Sequence, residues 1–544
     1  MRLHGAVVLA AFALGACTTE KIVYVTRPPF NPPPDQSSGF LGYFTVSDKQ
    51  TTCGNCHVEK QATWKFTKHA SAYEDLVRVV PAAPAACKNC HTVSQLGNAV
   101  PDDSPAGFAK VADNAYHDVQ CESCHGPGFD HVQSPSLSNI PLARVNVSPD
   151  TVAAVTSPTC AACHNRQGGP APSFVEEWSQ SGHARVVPEL VAEGIPSCSY
   201  NCHEGRGVLR AWNVLTNYVE KNDPITPATA FAQTCAVCHD PHSSANDGQL
   251  RWPIDDPNPD NNLCMKCHLR AGRDVPGTGT TSAPRGPHAA QGGVLLGTAG
   301  WWPQLRDTIR ATHGNPAANA RLCAGCHVNE ITVQGGGGLP VNFKSVGHLF
   351  KADPCLDASG TPIAGDCPRP GDPNYVSGSR AFIGCQKAGC HNSAVQAEDA
   401  FKANRAVIAI LADALWKDVD GDLEMLTYNT TTKRWASFDA GDTGLLTRIA
   451  DTDAVNAFNY GDGVVSAAEG SHFNVRMIGE KRYDQGDGSF GTHNPLLTVT
   501  LLTNSITALQ AQYPYLSVAP AVQTALSDAM RHVAQARAAQ VSSR

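Results

Sequence analysis

Seven segments of this 544-residue chain read Cys-x-x-Cys-His, beginning at Cys53, Cys87, Cys121, Cys160, Cys235, Cys264 and Cys323. Two more are stretched forms of the same pattern: Cys198-Ser-Tyr-Asn-Cys202-His203 and Cys385-Gln-Lys-Ala-Gly-Cys390-His391. Covalent haem attachment explains the spacing. Two thiols add across the two vinyl groups of one haem, so they must lie a short, fixed distance apart, and the histidine that follows reaches the iron as proximal ligand. Zinc knuckles and disulfide frameworks are the competing readings, but neither needs a histidine after every second cysteine. The pattern therefore implies nine c-type haems. Their thioether residues are Cys53, Cys56, Cys87, Cys90, Cys121, Cys124, Cys160, Cys163, Cys198, Cys202, Cys235, Cys238, Cys264, Cys267, Cys323, Cys326, Cys385 and Cys390. Their proximal ligands are His57, His91, His125, His164, His203, His239, His268, His327 and His391.

Prosthetic groups on this scale change what the chain has to supply. Hydrophobic residues are 42% of it, a figure that counts all 21 cysteines, while Gly numbers 47 and Pro 38. Irregular backbone should dominate, with covalently held cofactors in place of aliphatic side chains at the centre. The expected fold is mainly α and irregular coil with little β, centred on haems, with a helical C-terminal region.

The second axial ligands must come almost wholly from histidine. There are five methionines, of which Met1 lies in the leader and Met265 inside a motif. Of 21 histidines, nine are proximal and His4 is in the leader, which leaves eleven. Nine are taken as distal ligands: His69, His117, His131, His183, His242, His288, His313, His348 and His493. His69 and His183 sit in a repeated Trp-x-x-x-x-His-Ala segment. His131 and His242 follow their motifs closely, and His117 stands just before Cys121. His288, His313 and His348 each lie within two residues of a glycine, which lets backbone approach a flat ring. His493 opens His-Asn-Pro before a helical stretch. His472 and His532 are the spares. Two histidines per iron leave no open coordination position and hold potentials low.

The motifs are regularly placed. Cys53, Cys87 and Cys121 are 34 residues apart, and Cys160, Cys198 and Cys235 are 38 and 37 apart. The Trp-to-His segment follows the first site of each triplet. Residues 51–245 therefore read as a duplicated three-haem module, 246–394 as the last three sites, and 395–544 as a helical region supplying a distal ligand. Helical spacing of apolar residues runs over 394–417, 496–512 and 519–540, with Val407, Ile408, Ile410, Leu411 and Leu415 on or near one face. Cys355 and Cys367 bracket a loop, and an exported chain favours a disulfide there. The alternative is a tenth, long-spaced site, against which Pro368 stands where a histidine would be needed.

Residues 1–16 read as a secretory leader, and Leu14-Gly15-Ala16-Cys17 resembles a lipoprotein cleavage site, with Cys17 as the acylated residue. The alternative is an ordinary cleaved leader with an incidental cysteine. Residues 17–50, with Pro28, Pro29, Pro32, Pro33 and Pro34, then read as a semi-rigid tether. No later run approaches the roughly 20 apolar residues of a membrane span.

The sites from Cys53 to Cys390 resemble large multihaem cytochromes of metal-respiring bacteria, including their outer-membrane lipoprotein cytochromes. Cys121-Glu-Ser-Cys-His125-Gly-Pro-Gly and Cys238-His239-Asp-Pro-His242 carry the resemblance, and Gly491-Thr-His493-Asn-Pro is similar to a distal-ligand segment of multihaem oxidoreductases. The resemblance implies an electron conduit at the outer membrane or cell surface, passing electrons to a partner cytochrome or an extracellular acceptor. It also implies possible self-association into haem-continuous assemblies, with which an anchor at Cys17 sits awkwardly. A second class is a multihaem oxidoreductase with one open haem, acting on a small nitrogen or sulfur compound. No site ends in Cys-Lys, which removes the nitrite-reductase form of that reading. Haem storage is a third. Asp462-Gly463-Val-Val-Ser466-Ala-Ala-Glu469 matches the later part of a calcium loop, with a solvated turn as the plainer reading. The formal charge of −8 favours basic patches on redox partners, and nothing in the composition points to nucleic acid.

Overall fold

The computed structural model describes residues 30–542 except 99, 101–103, 144–158, 166–171, 187–199, 215–223, 271–274, 277–286, 304–307, 336–340, 387–389, 420–426, 430–433, 438–440, 461 and 480–485. The expected leader, the expected lipidation residue Cys17 and the expected attachment residue Cys198 lie outside the described residues. Within them helix dominates, and strand is confined to four separate two-stranded antiparallel ladders. The mainly helical, coil-rich class expected from the motifs is the one the chain adopts.

Each motif is a local device. In a helical turn, residues i, i+3 and i+4 share a face, so Cys-x-x-Cys-His wound into one turn presents both thiols and the imidazole on one side. The turn closes where His57, His164, His239 and His268 donate their backbone N–H to the carbonyl of the motif's first cysteine, at 2.8–3.0 Å. Cys121–His125 and Leu322–His327 are short helices of the same kind. At the stretched motif His391 N still reaches Cys385 O, at 3.2 Å, so the wider loop closes on the same carbonyl.

The stretch read as a tether ends earlier than its proline content suggests. Phe40, Leu41 and Tyr43 are buried, and the buried Asp35 accepts the Gly107 N–H at 3.1 Å. The Glu122 carboxylate receives the N–H groups of Leu41, Gly42 and Gly128 at 2.7–3.0 Å. Burial raises this carboxyl to about 7 despite those three donors. Residues 35–45 thus belong to the folded body. Replacing Glu122 with alanine strands three donors in a dry site, at about 1–3 kcal/mol each. The expected result is a loss of about 3 kcal/mol or more in denaturant unfolding, with early proteolysis near Phe40.

The large apolar core is C-terminal. Five helices build it: α1 (Ala394–Leu415), α2 (Leu445–Ala457), α3 (Ala467–Ile478), α4 (Pro495–Gln512) and α5 (Pro520–Ser542). The Ser393 hydroxyl caps α1 by accepting the Gln396 N–H. The helix stops at Leu415 because Lys417 pairs its backbone with Thr443. Ile408, Leu411 and Leu415 are buried on one face, whereas Ile410 is 41% exposed and lies off it. Asn494 caps α4, with Pro495 at its first position. The Asn494 amide also donates to Val294 O and Ile309 O at 3.0 and 2.7 Å. Residues near 290–309 therefore pack into this core, and position 394 is not a packing boundary. Outside that core the apolar clusters among the described residues are small groups of buried side chains.

Candidate haem sites and their histidine pairs

Seven motif histidines face a histidine from elsewhere in the chain. Ring centroids are 6.2 Å apart for His164 and His69, 6.3 Å for His125 and His242, and 6.0 Å for His268 and His183. They are 6.3 Å apart for His203 and His288, 6.3 Å for His239 and His348, 6.5 Å for His391 and His313, and 6.0 Å for His327 and His493. Two imidazoles bound to one metal ion at about 2 Å each place their centroids about 6.3 Å apart. Every pair has that spacing, and every pair joins a motif histidine to a distal candidate. The donor sets fit the group the motifs imply.

The outer ring nitrogens are held as well. Nδ1 of His125 lies 3.0 Å from Pro141 O, that of His239 2.7 Å from Gly248 O, and that of His327 2.9 Å from Phe350 O. His313 Nδ1 is 2.6 Å from Thr492 O, and His348 Nδ1 is 3.2 Å from Val346 O. A backbone carbonyl at Nδ1 makes that nitrogen the donor and frees Nε2 to bind metal. The buried Glu177 carboxylate fixes the His348 segment by accepting the Val346 and His348 N–H groups, both at 2.8 Å. Burial, then the facing His164 ring, push His69 down to about 4. Burial also takes His183 and His268 to about 4. These imidazoles are neutral near pH 7, as metal ligation requires. His493 goes the other way. Burial alone would lower it, but the Asp487 carboxylate, 2.5 Å from its Nδ1, raises it.

Among the described residues, no ring contact joins His57 or His91 to another histidine. The same is true of the distal candidates His117 and His131. His117 stacks on Tyr73 at 3.7 Å, and His131 Nδ1 lies 3.1 Å from Asn139 Oδ1. Gly128, three residues before His131, approaches the Cys53 thiol. Of the spares, His472 is buried in α3 with Nδ1 2.6 Å from the Tyr460 hydroxyl, and His532 is exposed on α5.

The thiols of different motifs meet in an ordered way. Cys53 lies beside Cys121, Cys90 beside Cys163, Cys160 beside Cys235, Cys202 beside Cys267, and Cys264 beside Cys323. Cys124 lies in the neighbourhood of Cys160 and Cys163, and Cys238 in that of Cys264 and Cys267. With the sites numbered one to nine in chain order, contacts one–three, three–four and two–four repeat as four–six, six–seven and five–seven.

The Trp-to-His segments repeat too. Trp64 Nε1 donates to Val119 O, 55 residues on, and Trp178 Nε1 donates to Gln233 O, also 55 residues on. Val119 N returns to His69 O, and Gln233 N to His183 O, both at 3.0 Å.

Cys355 and Cys367 are disulfide-bonded, with Cα atoms 6.0 Å apart. At the calcium-loop match, Asp462 accepts the Val464 N–H, and Ser466 and Glu469 form a capping box that starts α3. One oxygen of the Glu469 carboxylate serves that cap, and the other has no hydrogen-bond partner among the described residues. No group of three or more His, Cys, Asp or Glu side chains suited to a metal ion occurs among the described residues. Asp487 and Glu177, which hold ligand segments in place, carry no signal in the sequence. Each lies in an ordinary acidic stretch, and its target is set by the fold.

Two family models match stretches of the chain. Residues 52–126 match the family model of cytochrome c554 and c-prime, and residues 229–272 match the doubled CXXCH motif. The chain is a multihaem c-type cytochrome. Among solved structures, the outer cell wall cytochrome OcwA is similar over 78% of this chain and 76% of that one, with 18% identity and a TM-score of 0.40. No curated protein matches the chain. No helix among the described residues is long and apolar enough to cross a membrane.

Proposed function

We propose that the chain is an electron conduit built on nine haem sites, with seven irons held by the facing histidine pairs. The seven pairs at the spacing of a shared metal carry this reading. When bound, the haems supply one-electron exchange between ferric and ferrous iron. The chain's own residues fix the axial imidazoles, keep them neutral and bring successive sites together. The thiol contacts order sites one, three, four, six and seven along a trunk. Site eight follows through Cys264 and Cys323, and site nine through His313, whose Nδ1 reaches the residue before His493. Site two joins at four and site five at seven. The repeated contacts support a duplicated three-site module over residues 51–245. We assign His131, beside the Cys53 site, to His57, and His117 to His91.

We place the protein as an exported lipoprotein anchored through Cys17 at the outer membrane. It would hand electrons to a partner cytochrome or an extracellular acceptor. Incorporation of labelled palmitate, lost in Cys17→Ser, is the expected result for the anchor.

One observation favours the second reading, an oxidoreductase with an open iron: among the described residues, neither His57 nor His91 faces a second imidazole. Electron paramagnetic resonance of the oxidised holoprotein separates the two. The conduit predicts a protein mass raised by nine haems and ferric signals that are low-spin throughout. High-spin signal amounting to one or two haems would instead select the oxidoreductase.

A further inference from the structure

We propose that Asp487 sets the reduction potential of the site formed by Cys323, Cys326 and His327, through its hydrogen bond to His493. The inference rests on the reading of His327 and His493 as one iron's ligands. Its basis is a contrast. In the facing pairs, His125, His239, His313, His327 and His348 direct Nδ1 at neutral backbone carbonyls. His493 directs it at a carboxylate, 2.5 Å away and 3% exposed. Asp240 is another carboxylate near such a nitrogen, but it lies 3.5 Å from His242 on a more exposed surface.

The carboxylate is built into place. Asp487 N donates to Met477 O at 2.7 Å, the Ser489 hydroxyl donates to Asp487 Oδ2, and His493 N donates back to Ser489 Oγ at 3.1 Å. Gly488 at φ +69° and Gly491 at φ +84° make the turn that brings the carboxylate and the imidazole together.

A carboxylate accepting the Nδ1 proton leaves more negative charge on Nε2 and makes the imidazole a stronger donor. A stronger axial donor favours ferric iron and lowers the potential. Burial keeps water and salt from screening the effect. The site lies between seven and nine on the trunk, so a lowered potential here forms a step between the long arm of the chain and its C-terminal end.

The test is a spectroelectrochemical titration of the full-length holoprotein. In Asp487→Asn, one component of the titration is expected to move positive by at least tenfold in its equilibrium, about 59 mV for one electron, with the others in place. Asp487→Glu keeps the charge and is expected to retain most of the low potential. An unchanged titration in Asp487→Asn, with haem content and low-spin spectrum intact, overturns the proposal. An equal shift in Asp487→Glu overturns it too, since charge would then not be the cause. His493→Ala checks the foundation separately. A new high-spin signal is expected, and its absence would remove His493 as a ligand whatever Asp487 does.

Discussion

Replacing His183 with alanine is expected to make the site of Cys264 and His268 high-spin and to leave the site of Cys160 and His164 low-spin. Chain distance argues the opposite, since His183 follows His164 closely. The geometry decides: the His183 ring faces His268 at 6.0 Å, while His164 faces His69 at 6.2 Å. His183 is half-buried, with Phe350 edge-on to its ring at 4.5 Å. Electron paramagnetic resonance reads the result directly. The new signal should vanish when Cys264 and Cys267 are also replaced, and should persist when Cys160 and Cys163 are. If the dependence is reversed, the pairing is wrong. The matching variant His69→Ala should act on the site of Cys160 and His164, which lies in the next module.

Removing a trunk site should slow electron transit far more than removing a branch site. Cys121→Ala with Cys124→Ala takes out site three, which neighbours site one through Cys53 and site four through Cys160 and Cys163. No other thiol contact joins site one to the rest among the described residues. Cys87→Ala with Cys90→Ala takes out site two, whose thiol neighbour among the described residues is Cys163. Stopped-flow reduction followed to completion should show a slow phase equal to one haem or more in the first variant. The second should lose one haem's amplitude with little change in rate. Equal slowing in both would remove the distinction between trunk and branch.

Local chemistry was legible in the sequence, and long-range pairing was not. A Cys-x-x-Cys-His turn is closed by hydrogen bonds within five residues, so its spacing encodes its geometry. Nothing near His69 indicates that it faces His164 rather than His57, because that contact forms only when two modules pack. The tether was misjudged because composition registers prolines but not the depth of Phe40 and Leu41, whose burial depends on Glu122 reaching back to their backbone. The helices α2 and α3 escaped notice for local reasons. Asp453, at φ −155°, breaks the period of α2, and α3 is buried on nearly every side, so no polar face marks it. The Ser466 and Glu469 pair shows a limit of motif reading. Ser-x-x-Glu is a helix cap and also part of a calcium loop, and the spacing alone does not separate the two.

The facing histidine pairs also bear on how such a chain holds together. Each joins residues far apart in sequence, and several run from one module into the next. Once both imidazoles share an iron, the pair is a cross-link. In the chain-entropy view, closing a loop on the order of 100 residues removes roughly 4.7 kcal/mol of unfolded-state freedom. Seven interleaved links of this kind stitch the sequence like thread through cloth. A protease nick between modules should leave the pieces fastened together, and a module expressed alone would lack ligands that its neighbours hold. The loop-rich body would then owe its integrity to lacing, not to a greasy interior.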